Sequence, residues 1–459
     1  MKTKDILIIS FMLLAMFFGA GNLIFPVALG FQSGVNFVPA IIGFVITGVG
    51  LPVLGMIVGS ISDGGYRNVM NYIHPIFAIG FLAAVYLTIG PFFALPRTGT
   101  TSYEMMVAPI IGGSSSMSLF IFTIFFYAVT LWIALSPSNI ADTIGKYLTP
   151  ALLITIILLI GTLLVKYGPN GPSEDITEPF QNAPLATGFT EGYLTMDTLA
   201  TLAFSVIVVS AFKQKGVTDR NQIFKYSSIA ALIAAGLLAI IYGFLAWTGN
   251  HNPALAEQIG NQNMGTFLLN KGAHDAFGPL GMYLLGSIVF LACLTTSSGL
   301  VTAVSQFFYD LYPKISYKTY AIVTTLISFG IANQGLDKII TMSVPVLGIL
   351  YPTSIAMIIM VLLSRWIPIH QLNLRIMIGA VLSVSILTTL HRLGIIPMPF
   401  LESLPLYASD LEWIPVLLIS YVVGFLIPQH SPTIDFTETY LPKEQDQFAK
   451  DIQIELADQ

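Results

Sequence analysis

The sequence predicts an all-α integral membrane protein with twelve transmembrane helices, and three properties of the chain lead to that fold class. Of the 459 residues, 55% are hydrophobic and only 9% are charged, whereas a typical soluble domain has about 25% charged residues. The mean hydropathy is +0.79. Apolar runs long enough to cross a bilayer recur along the chain. Lipid, rather than water, is therefore the expected surrounding of most of the protein.

Charge and cysteine content narrow the possible partners. The net charge is −5 and the sequence has no basic cluster, which excludes a nucleic-acid partner. The single cysteine, Cys293, excludes an internal disulfide and a cysteine metal cluster. Its position within an apolar run predicts a small core residue. A small-molecule substrate and the bilayer remain as expected partners, and the oligomeric state stays open.

Twelve apolar runs are candidate spans, and an even number places both termini on the same side of the membrane. With the N-terminus inside, most of the nineteen Lys and Arg residues fall in cytoplasmic segments, while the loop 168–192 on the other side contains acidic residues and no basic one. This bias predicts that both termini are cytoplasmic. The candidate spans lie near residues 6–29, 37–60, 73–96, 117–135, 149–166, 194–212, 226–248, 279–309, 319–335, 339–363, 375–391 and 412–428.

The first span contains the strongest local signal in the sequence. Gly19 and Gly21 lower helix propensity, Asn22 brings a polar amide to membrane depth, and Pro26 lacks a backbone donor. We therefore expect the helix to break near residues 19–22. A break at membrane depth leaves unpaired backbone groups, which persist only inside protein or beside a wet cavity, as in transporter binding sites. This segment is thus the predicted solute site.

A second irregular span begins where Thr195 or Asp197 can cap a helix. The β-branched run 206–209 is flanked by two serines whose hydroxyls can bond to the backbone, so we expect an interruption within 203–210. Broken helices at corresponding places of two halves point to a 5+5 inverted-repeat transporter. The predicted organisation is a first five-helix repeat (1–168), a second five-helix repeat (193–363), two additional helices (373–428) and a cytoplasmic tail (429–459).

The eighth span carries four consecutive hydroxyl residues, from Thr295 to Ser298, at membrane depth. A helix turns about 100° per residue, so this patch faces more than one neighbour, including the interior of the bundle. Hydroxyl and carbonyl oxygens are hard ligands that suit a small alkali cation, and a break in the first span would supply carbonyls. Interhelical hydrogen bonding is the alternative. The broken helix nearby favours the cation site.

The substrate is expected at the break in the first span. Backbone N–H groups from Ala20 to Asn22 lie at the start of the outer half-helix, where the positive end of the helix dipole suits a carboxylate. An aliphatic side chain needs an apolar pocket, for which Phe17, Phe204 and Tyr86 are candidates. No acidic residue falls clearly in the central membrane zone, and this disfavours cationic substrates.

Three strings of residues are specific when taken together. They are Gly-Ala-Gly-Asn-Leu-Ile-Phe-Pro at 19–26, Ile-Gly-Pro-Phe-Phe-Ala-Leu-Pro-Arg-Thr at 89–98 and Thr-Met-Asp at 195–197. With them the chain resembles the branched-chain amino acid:cation symporter family of bacteria (LIVCS) over nearly its whole length. The resemblance implies sodium-driven uptake of leucine, isoleucine and valine at the bacterial inner membrane, without an organic cofactor. A more distant similarity to LeuT-type sodium:amino acid symporters implies the LeuT-like fold, with helices 1 and 6 broken, and alternating access.

The LeuT-type pattern also implies a set of ion ligands in spans one and eight. Carried over to this sequence, one sodium ion would be held by the carbonyls of Ala15, Phe18 and Ala292 and by the hydroxyls of Thr295 and Thr296. Each of these groups offers an oxygen, the ligand type that sodium takes.

A second sodium ion, beside the substrate carboxylate, would use the Asn22 side chain and Ser205. The LeuT-type pattern further expects a polar residue in the middle of span seven, where this sequence offers only Tyr242. The existence of the second ion site therefore stays open.

Three other features have packing explanations. Arg97 and Glu104 are seven residues apart at the predicted outer interface, where a structural pair is favoured over a gate. Gly55 and Gly59 form a small-xxx-small pattern, which is a packing device between membrane helices. The outer loop 249–278 is expected to hold a short amphipathic helix, either as a lid or as packing.

Other function classes lack their residues in this sequence. An intramembrane enzyme would need a catalytic set at membrane depth, and the chain has no His-Glu-x-x-His, no Gly-x-Ser-x-Gly and no deep acid pair. A channel would need a filter or a charged ring. The closer alternative is a proton-coupled symporter or an exchanger of other neutral amino acids on the same fold. Flux measured with and without a sodium gradient separates these carriers.

Overall fold

The computed structural model describes residues 1–61, 65–135, 149–167, 171–172, 176–251, 263–427 and 433–436. Within these ranges the regular structure is helical, and an isolated antiparallel β-bridge joins His370 to Thr433. The helices of the first part are α1 (Thr3–Phe17), α2 (Ala20–Ser33), α3 (Phe37–Val45), α4 (Leu51–Gly59), α5 (Gly65–Asn71), α6 (Pro75–Leu87), α7 (Ala94–Met106), α8 (Ser116–Ala134) and α9 (Thr149–Tyr167).

The second part begins with two short helices and continues with longer ones. A 3₁₀ turn at Gly192–Thr195 comes just before the first long helix of this part, and two more lie at Pro399–Ser403 and Tyr407–Ser409. The helices are α10 (Glu178–Asn182), α11 (Pro184–Glu191), α12 (Asp197–Gln214), α13 (Arg220–Asn250), α14 (Met264–Phe277), α15 (Pro279–Leu311), α16 (Tyr317–Ala332), α17 (Leu336–Leu363), α18 (Gln371–Arg392) and α19 (Trp413–Leu426).

Eight helical stretches in the described part of the chain are long and apolar enough to cross a bilayer. One of them, Ala20–Gly59, covers parts of two predicted spans, and shorter apolar helical segments lie at Leu152–Val165 and Trp413–Leu426. Each of the predicted spans overlaps at least one helix. The chain is therefore a multi-pass membrane protein, and the count of twelve spans stays a prediction.

Span three continues well beyond its predicted end at residue 96. A π-turn at Thr88–Phe92 joins α6 to α7, and the combined apolar stretch runs over Pro75–Met106. Pro91 and the non-helical backbone of Gly90 (φ −86°, ψ −118°) mark a kink. A proline at such a position removes a hydrogen bond of the helix. The extension brings the N-terminal part of α7 into the interior of the bundle.

Glycines allow close contact between several helix pairs. A β-carbon on Gly55 would overlap the Thr201 hydroxyl, and one on Gly59 would overlap the Ser205 side chain, so α4 lies directly against α12. The packing role predicted for these two glycines is confirmed. Small residues at such contacts let backbones approach and gain van der Waals energy without a hydrophobic driving force.

The segment after span seven contains α14, and residues 252–262 lie outside the described ranges. A β-carbon on Gly265 would overlap the carbonyl oxygen of Ile24, so α14 rests on the backbone of α2. Gly281, at the start of α15, makes a similar contact with the carbonyl of Ala273. The structure thus gives α14 the packing role; whether it also acts as a lid stays a prediction. Most of the predicted tail also lies outside the described residues.

Candidate functional site

Helical geometry is interrupted between α1 and α2, at Phe18 and Gly19. Phe18 has φ −72° and ψ 80°, and Gly19 is extended with φ −111° and ψ −156°. The Gly19 N–H donates to Oδ1 of Asn22 at 3.1 Å, so the Asn22 side chain satisfies one of the orphan donors at the start of α2. A β-carbon on Gly19 would lie 2.9 Å from Oγ1 of Thr296, so this interruption lies directly against span eight.

A second interruption lies immediately before α12. The 3₁₀ turn Gly192–Thr195 is followed by Met196, whose φ of 64° and ψ of 11° are left-handed. α12 then runs from Asp197 to Gln214 without a break, so the interruption predicted within 203–210 was wrong. β-Branched residues cost a helix only a few tenths of a kcal/mol each, roughly, and tertiary packing overrides that preference. The discontinuity lies at the N-terminal end of the helix, where the sequence suggested only a cap.

Three polar side chains from different spans meet at the two interruptions. Nδ2 of Asn22 donates to Oδ2 of Asp197 at 2.6 Å and also to the hydroxyl of Tyr242. The Tyr242 hydroxyl donates to the same Oδ2 at 2.9 Å. All three side chains are buried. Spans one, six and seven are therefore tied together around one carboxylate, which needs such partners because an unpaired buried charge is costly.

Asp197 corrects the expectation that no acidic residue lies in the central zone. It occupies the first turn of α12, is only 2% exposed, and lines the same cavity as Asn22. A carboxylate is favourable there because the N-terminus of a helix carries a positive partial charge. The expectation failed because the sequence suggested only a helix cap for Asp197, which lies at the beginning of span six.

Arg97, near the start of α7, also faces the interior and is 3% exposed. Its NH1 donates to the Leu194 carbonyl at 2.6 Å and its NH2 to the Thr195 carbonyl at 3.4 Å. The guanidinium carbon lies 5.2 Å from the centre of the Phe25 ring. The prediction that Arg97 pairs with Glu104 at the outer interface was wrong, because span three continues past both residues and the carbonyls that end the 3₁₀ turn attract the guanidinium.

A cavity lies between the two interruptions. Its volume is about 20 Å³, which holds about one water molecule, so the cavity has to widen before it can take an amino acid. The N-termini of α2 and α12 both reach it, so backbone N–H groups and the positive ends of two helix dipoles face the same space. The polar residues that line it are Asn22, Arg97, Thr98, Thr195, Asp197 and Thr296.

The apolar wall of the cavity contains two of the predicted aromatic residues. The rings of Phe17 and Phe204 have their centres 5.7 Å apart and are tilted by 49°. Both side chains are buried and line the cavity. The remaining lining residues are Met16, Gly19, Ala20, Ile89, Ala94, Met196, Ala200 and Leu300. The cavity thus joins a polar half to an apolar half.

The predicted ion ligands of spans one and eight lie together. Oγ1 of Thr295 lies within hydrogen-bond distance of the carbonyls of Ala15 (2.9 Å) and Ala292 (2.8 Å), to which its one hydrogen can donate, and Oγ1 of Thr296 donates to the Ala15 carbonyl at 3.2 Å. Thr295 is fully buried. Phe18 is buried at the interruption that follows α1. These hydroxyl and carbonyl oxygens are hard ligands, the donor set that a small alkali cation prefers.

Three predicted substrate-site residues, Gly21, Tyr86 and Ser205, are not among the residues that line the cavity. Tyr86 stacks on Phe307 with ring centres 4.1 Å apart and is not among the lining residues. Ser205 donates to the Leu202 carbonyl at 3.4 Å and packs against Gly59. The structure therefore does not assemble the second ion site from Asn22 and Ser205. Tyr86 and Ser205 lie on helix faces whose orientation the local sequence did not determine.

The sequence reasoning missed three members of this site, although each gave a signal. Arg97 and Asp197 belong to two of the strings that carry the family resemblance, and Tyr242 is the one polar residue in the middle of span seven. Gly21 lies in the first turn of α2 rather than at the break, and a β-carbon there would lie 2.6 Å from NH2 of Arg97. A polar residue deep in an apolar span is a functional-site candidate by default.

Comparison with known protein sequences gives matches over nearly the whole chain. A family model described as "Branched-chain amino acid transport protein" matches residues 2–431. A carrier named for branched-chain amino acids in Staphylococcus saprophyticus is 48% identical over 431 residues, which cover 92% of this chain and 96% of the relative. A protein of Staphylococcus aureus strain MRSA252, also named as a branched-chain amino acid carrier, has the same identity and coverage.

Solved structures with a similar fold include the transporter Mhp1. Mhp1 of the nucleobase-cation-symport-1 family, closed with bromovinylhydantoin bound, aligns with a TM-score of 0.58 at 13% identity over 97% of this chain and 96% of Mhp1. Its inward-facing conformation gives a TM-score of 0.54 at 15% identity over 96% and 94%. At these identities the likeness concerns the fold alone, and that fold is the LeuT type.

Proposed function

This chain belongs to the branched-chain amino acid transport protein family, and from that premise we propose that it is a sodium-coupled symporter that imports leucine, isoleucine and valine by alternating access. The family and the relatives consist of transporters rather than enzymes. The observation that carries the proposal is the cavity between two interrupted helices, with an apolar wall on one side and polar backbone on the other. A zwitterion with an aliphatic side chain needs both.

The fold in this proposal is a 5+5 inverted repeat with broken helices 1 and 6, followed by two additional helices. The first interruption separates α1 from α2, and the second precedes α12 at Met196. Interrupted helices at corresponding places of two halves suit a binding site near the bilayer midplane. The structural similarity to Mhp1 supports this organisation. The protein is expected in the cell membrane with both termini cytoplasmic.

The substrate carboxylate is assigned to the N-terminal turn of α2. The N–H groups of Ala20 and Gly21 belong to the orphan donors of that turn, and the helix dipole favours an anion there. The aliphatic side chain is assigned to the wall formed by Phe17 and Phe204. Leucine, isoleucine and valine differ by single methyl or methylene groups, which an apolar pocket separates by only about 1–3 kcal/mol.

Sodium is assigned to the oxygen cluster of spans one and eight. The Thr295 hydroxyl lies 2.9 Å from the Ala15 carbonyl and 2.8 Å from the Ala292 carbonyl, and the Thr296 hydroxyl lies 3.2 Å from the Ala15 carbonyl. These oxygens therefore form one cluster of hard ligands. Binding the ion would turn the hydroxyl lone pairs toward it. Because Gly19 contacts Thr296, the occupied ion site would also hold the interruption beside the substrate.

Alternating access then follows from where the ion and the substrate sit. Both contact the interrupted helices, so their binding can favour one orientation of the first five-helix repeat relative to the second. Sodium would favour the outward-open state, and the bound amino acid would allow the bundles to rock inward. Each ligand can shift this equilibrium only by its difference in affinity for the two states.

The test is transport by the purified full chain in proteoliposomes. Labelled leucine is supplied outside under an inward sodium gradient, an inward proton gradient or no gradient, with other amino acids as competitors. We expect uptake above equilibrium only with sodium, and inhibition by isoleucine and valine but not by lysine or glutamate. Uptake driven by protons alone would overturn sodium coupling, and absence of leucine uptake under every gradient would overturn the substrate assignment.

A proton-coupled symporter is the second candidate because of one observation. Asp197 is a buried carboxylate that lines the cavity and is tied to Asn22 and Tyr242. A carboxylate in this setting can take up and release a proton as the site opens and closes. The proton-gradient arm of the same experiment decides between the two coupling ions.

A further inference from the structure

The cavity is lined by two opposite charges that do not form an ion pair with each other. Arg97 and Asp197 both line it, and both are buried. Among the ion pairs of the described residues, none joins these two groups, although they are close enough for their charges to interact. Two buried charges that line one cavity without pairing with each other can each pair with the opposite end of a dipolar molecule once the cavity widens.

The carboxylate of Asp197 is held from one side. The hydrogen bonds from Asn22 and from Tyr242 go to the same oxygen, Oδ2, and the Thr195 side chain is a further partner of the carboxylate. A carboxylate has two oxygens and about four lone-pair sites, so these three donors leave acceptor capacity for an occupant of the cavity. Fixing Oδ2 with two donors orients the group before any ligand arrives, which lowers the cost of binding.

Only some of the N–H donors of the Arg97 guanidinium have hydrogen-bond partners. A guanidinium has five N–H donors, and Arg97 directs NH1 to the Leu194 carbonyl and NH2 to the Thr195 carbonyl. Its Nε is buried and has no hydrogen-bond partner among the described residues. A buried donor without a partner costs roughly 1–3 kcal/mol. An anion in the cavity would relieve that cost.

The two charges are placed on different elements of the site. NH2 of Arg97 lies beside Gly21, at the N-terminal turn of α2, where the dipole already favours an anion. Asp197 lies on α12, next to the carbonyls that end the 3₁₀ turn at Thr195. The guanidinium thus lies between Gly21 of span one and the turn that precedes α12, and the carboxylate lies on the first turn of α12. A zwitterion likewise carries one group for each of these two charges.

We propose that Asp197 binds the ammonium group and Arg97 the carboxylate of the transported amino acid, so that this pair selects for a free α-amino acid backbone. The inference rests on the proposed function, because it concerns recognition at the same cavity. The apolar wall at Phe17 and Phe204 selects the side chain, whereas the charged pair rejects molecules with the same side chain and only one charge. Arg97 and Asp197 then each have an oppositely charged partner only when a zwitterion is bound.

The decisive experiment measures direct binding of radiolabelled compounds to the purified full chain. The compounds are leucine, 4-methylpentanoate, which lacks the ammonium group, and 3-methylbutylamine, which lacks the carboxylate. We expect wild-type protein to bind each single-charge analogue about 100-fold more weakly than leucine, since each leaves one buried charge unpaired. Equal binding of leucine and either analogue by the wild-type protein overturns the proposal without any variant.

Asp197→Asn tests the assignment of the ammonium group. This isosteric change should weaken leucine binding by about 100-fold. It should leave 4-methylpentanoate binding unchanged or tighter, because the negative charge that repels a second carboxylate is gone. A purely structural role for Asp197 would instead weaken leucine and 4-methylpentanoate by the same factor, and that result overturns the proposal. Loss of sodium dependence with unchanged discrimination against 4-methylpentanoate would also overturn it, because Asp197 would then serve the coupling ion.

Two further variants complete the design. Arg97→Gln should weaken leucine and 4-methylpentanoate but not 3-methylbutylamine, and it provides an independent test if the first variant fails to fold. Glu104→Gln removes a carboxylate from the same helix as Arg97 outside the cavity lining, and it should leave all three affinities unchanged. If the wild-type protein binds none of the three compounds, the proposed function fails. If it binds leucine selectively while the variants keep that selectivity, only the charge assignment fails.

Discussion

At the scale of single residues, Thr295 links the two elements on which ion coupling depends in our proposal. Its hydroxyl reaches the Ala15 carbonyl of α1 and the Ala292 carbonyl of its own helix. Thr295→Val keeps the shape but removes one oxygen ligand, which is worth about 1.5 kcal/mol. We expect the sodium concentration for half-maximal leucine uptake to rise about tenfold. The measurement is uptake against sodium concentration in proteoliposomes, and Thr295→Ala with Thr296→Ala should raise the requirement further.

The matched control lies on the same helix. Ser287 of α15 is exposed, and its hydroxyl donates to the Tyr283 carbonyl at 2.8 Å. Ser287→Ala should leave the sodium dependence of uptake unchanged. If Thr295→Val and Ser287→Ala give the same sodium curve as the wild-type protein, the cation site does not lie between spans one and eight.

Gly19 makes a second residue-level prediction. A β-carbon at this position would lie 2.9 Å from Oγ1 and 3.0 Å from Cγ2 of Thr296, a contact that forces the interruption away from span eight. Gly19→Ala should therefore abolish most leucine uptake while the protein remains folded. Gly80→Ala on α6, where a β-carbon meets nothing within 4 Å, should transport normally. Normal uptake by the Gly19 variant would mean that this contact is not needed in the transport cycle.

The sequence predicted some of these residues and missed others for a physical reason. Asn22 and its glycine neighbours interrupt an apolar run, so their local effect on the backbone can be predicted without tertiary structure. Arg97 could not be placed, because whether it lies at the interface or inside depends on where span three ends. Tyr86 and Ser205 could not be excluded, because rotating a helix by half a turn moves a residue from the cavity to a packing contact.

At the scale of elements, the two interruptions have different origins. The first follows from residues at the break itself, where Gly19 is extended and Asn22 caps the next helix. The second depends on Met196 in a left-handed conformation, which costs a non-glycine residue roughly 1–2 kcal/mol. Tertiary contacts must hold it, among them the bonds from Arg97 to the carbonyls just before it. Local helix propensity did not predict that break, and it suggested an interruption at the β-branched run 206–209 instead.

Close packing of α2 on α13 gives an element-level prediction. A β-carbon on Gly249 would overlap the carbonyl oxygen of Val27, and backbone cannot move aside as a side chain can. Gly249→Ala should lower stability by about 1–3 kcal/mol, the usual cost of overpacking. Gly236→Ala on the same helix meets no atom within 4 Å and should be neutral or stabilising, because alanine favours a helix. Thermal unfolding of both purified variants measures the difference, and equal midpoints would contradict the close α2–α13 contact.

At the scale of the whole molecule, the distribution of charge separates two tasks. Basic residues are concentrated in the segments assigned to the cytoplasmic side, and this bias predicts the orientation of the chain. The buried charges described above are instead gathered at one place between the interrupted helices. A bilayer protein can keep such charges only where partners replace water. In our proposal orientation and binding are therefore assigned to different residues, and the two can be tested separately.

The orientation can be tested by labelling single cysteines in right-side-out membrane vesicles. Cys293 is the one cysteine of the chain and is fully buried, so it should not react with a membrane-impermeant maleimide. Thr218 and Gln334 are exposed in loops that three predicted spans separate, between α12 and α13 and between α16 and α17. With the N-terminus inside, Gln334→Cys should react in intact vesicles, whereas Thr218→Cys should react only after permeabilisation. The reverse pattern would invert the topology, and labelling of both from outside would require a different number of spans between them.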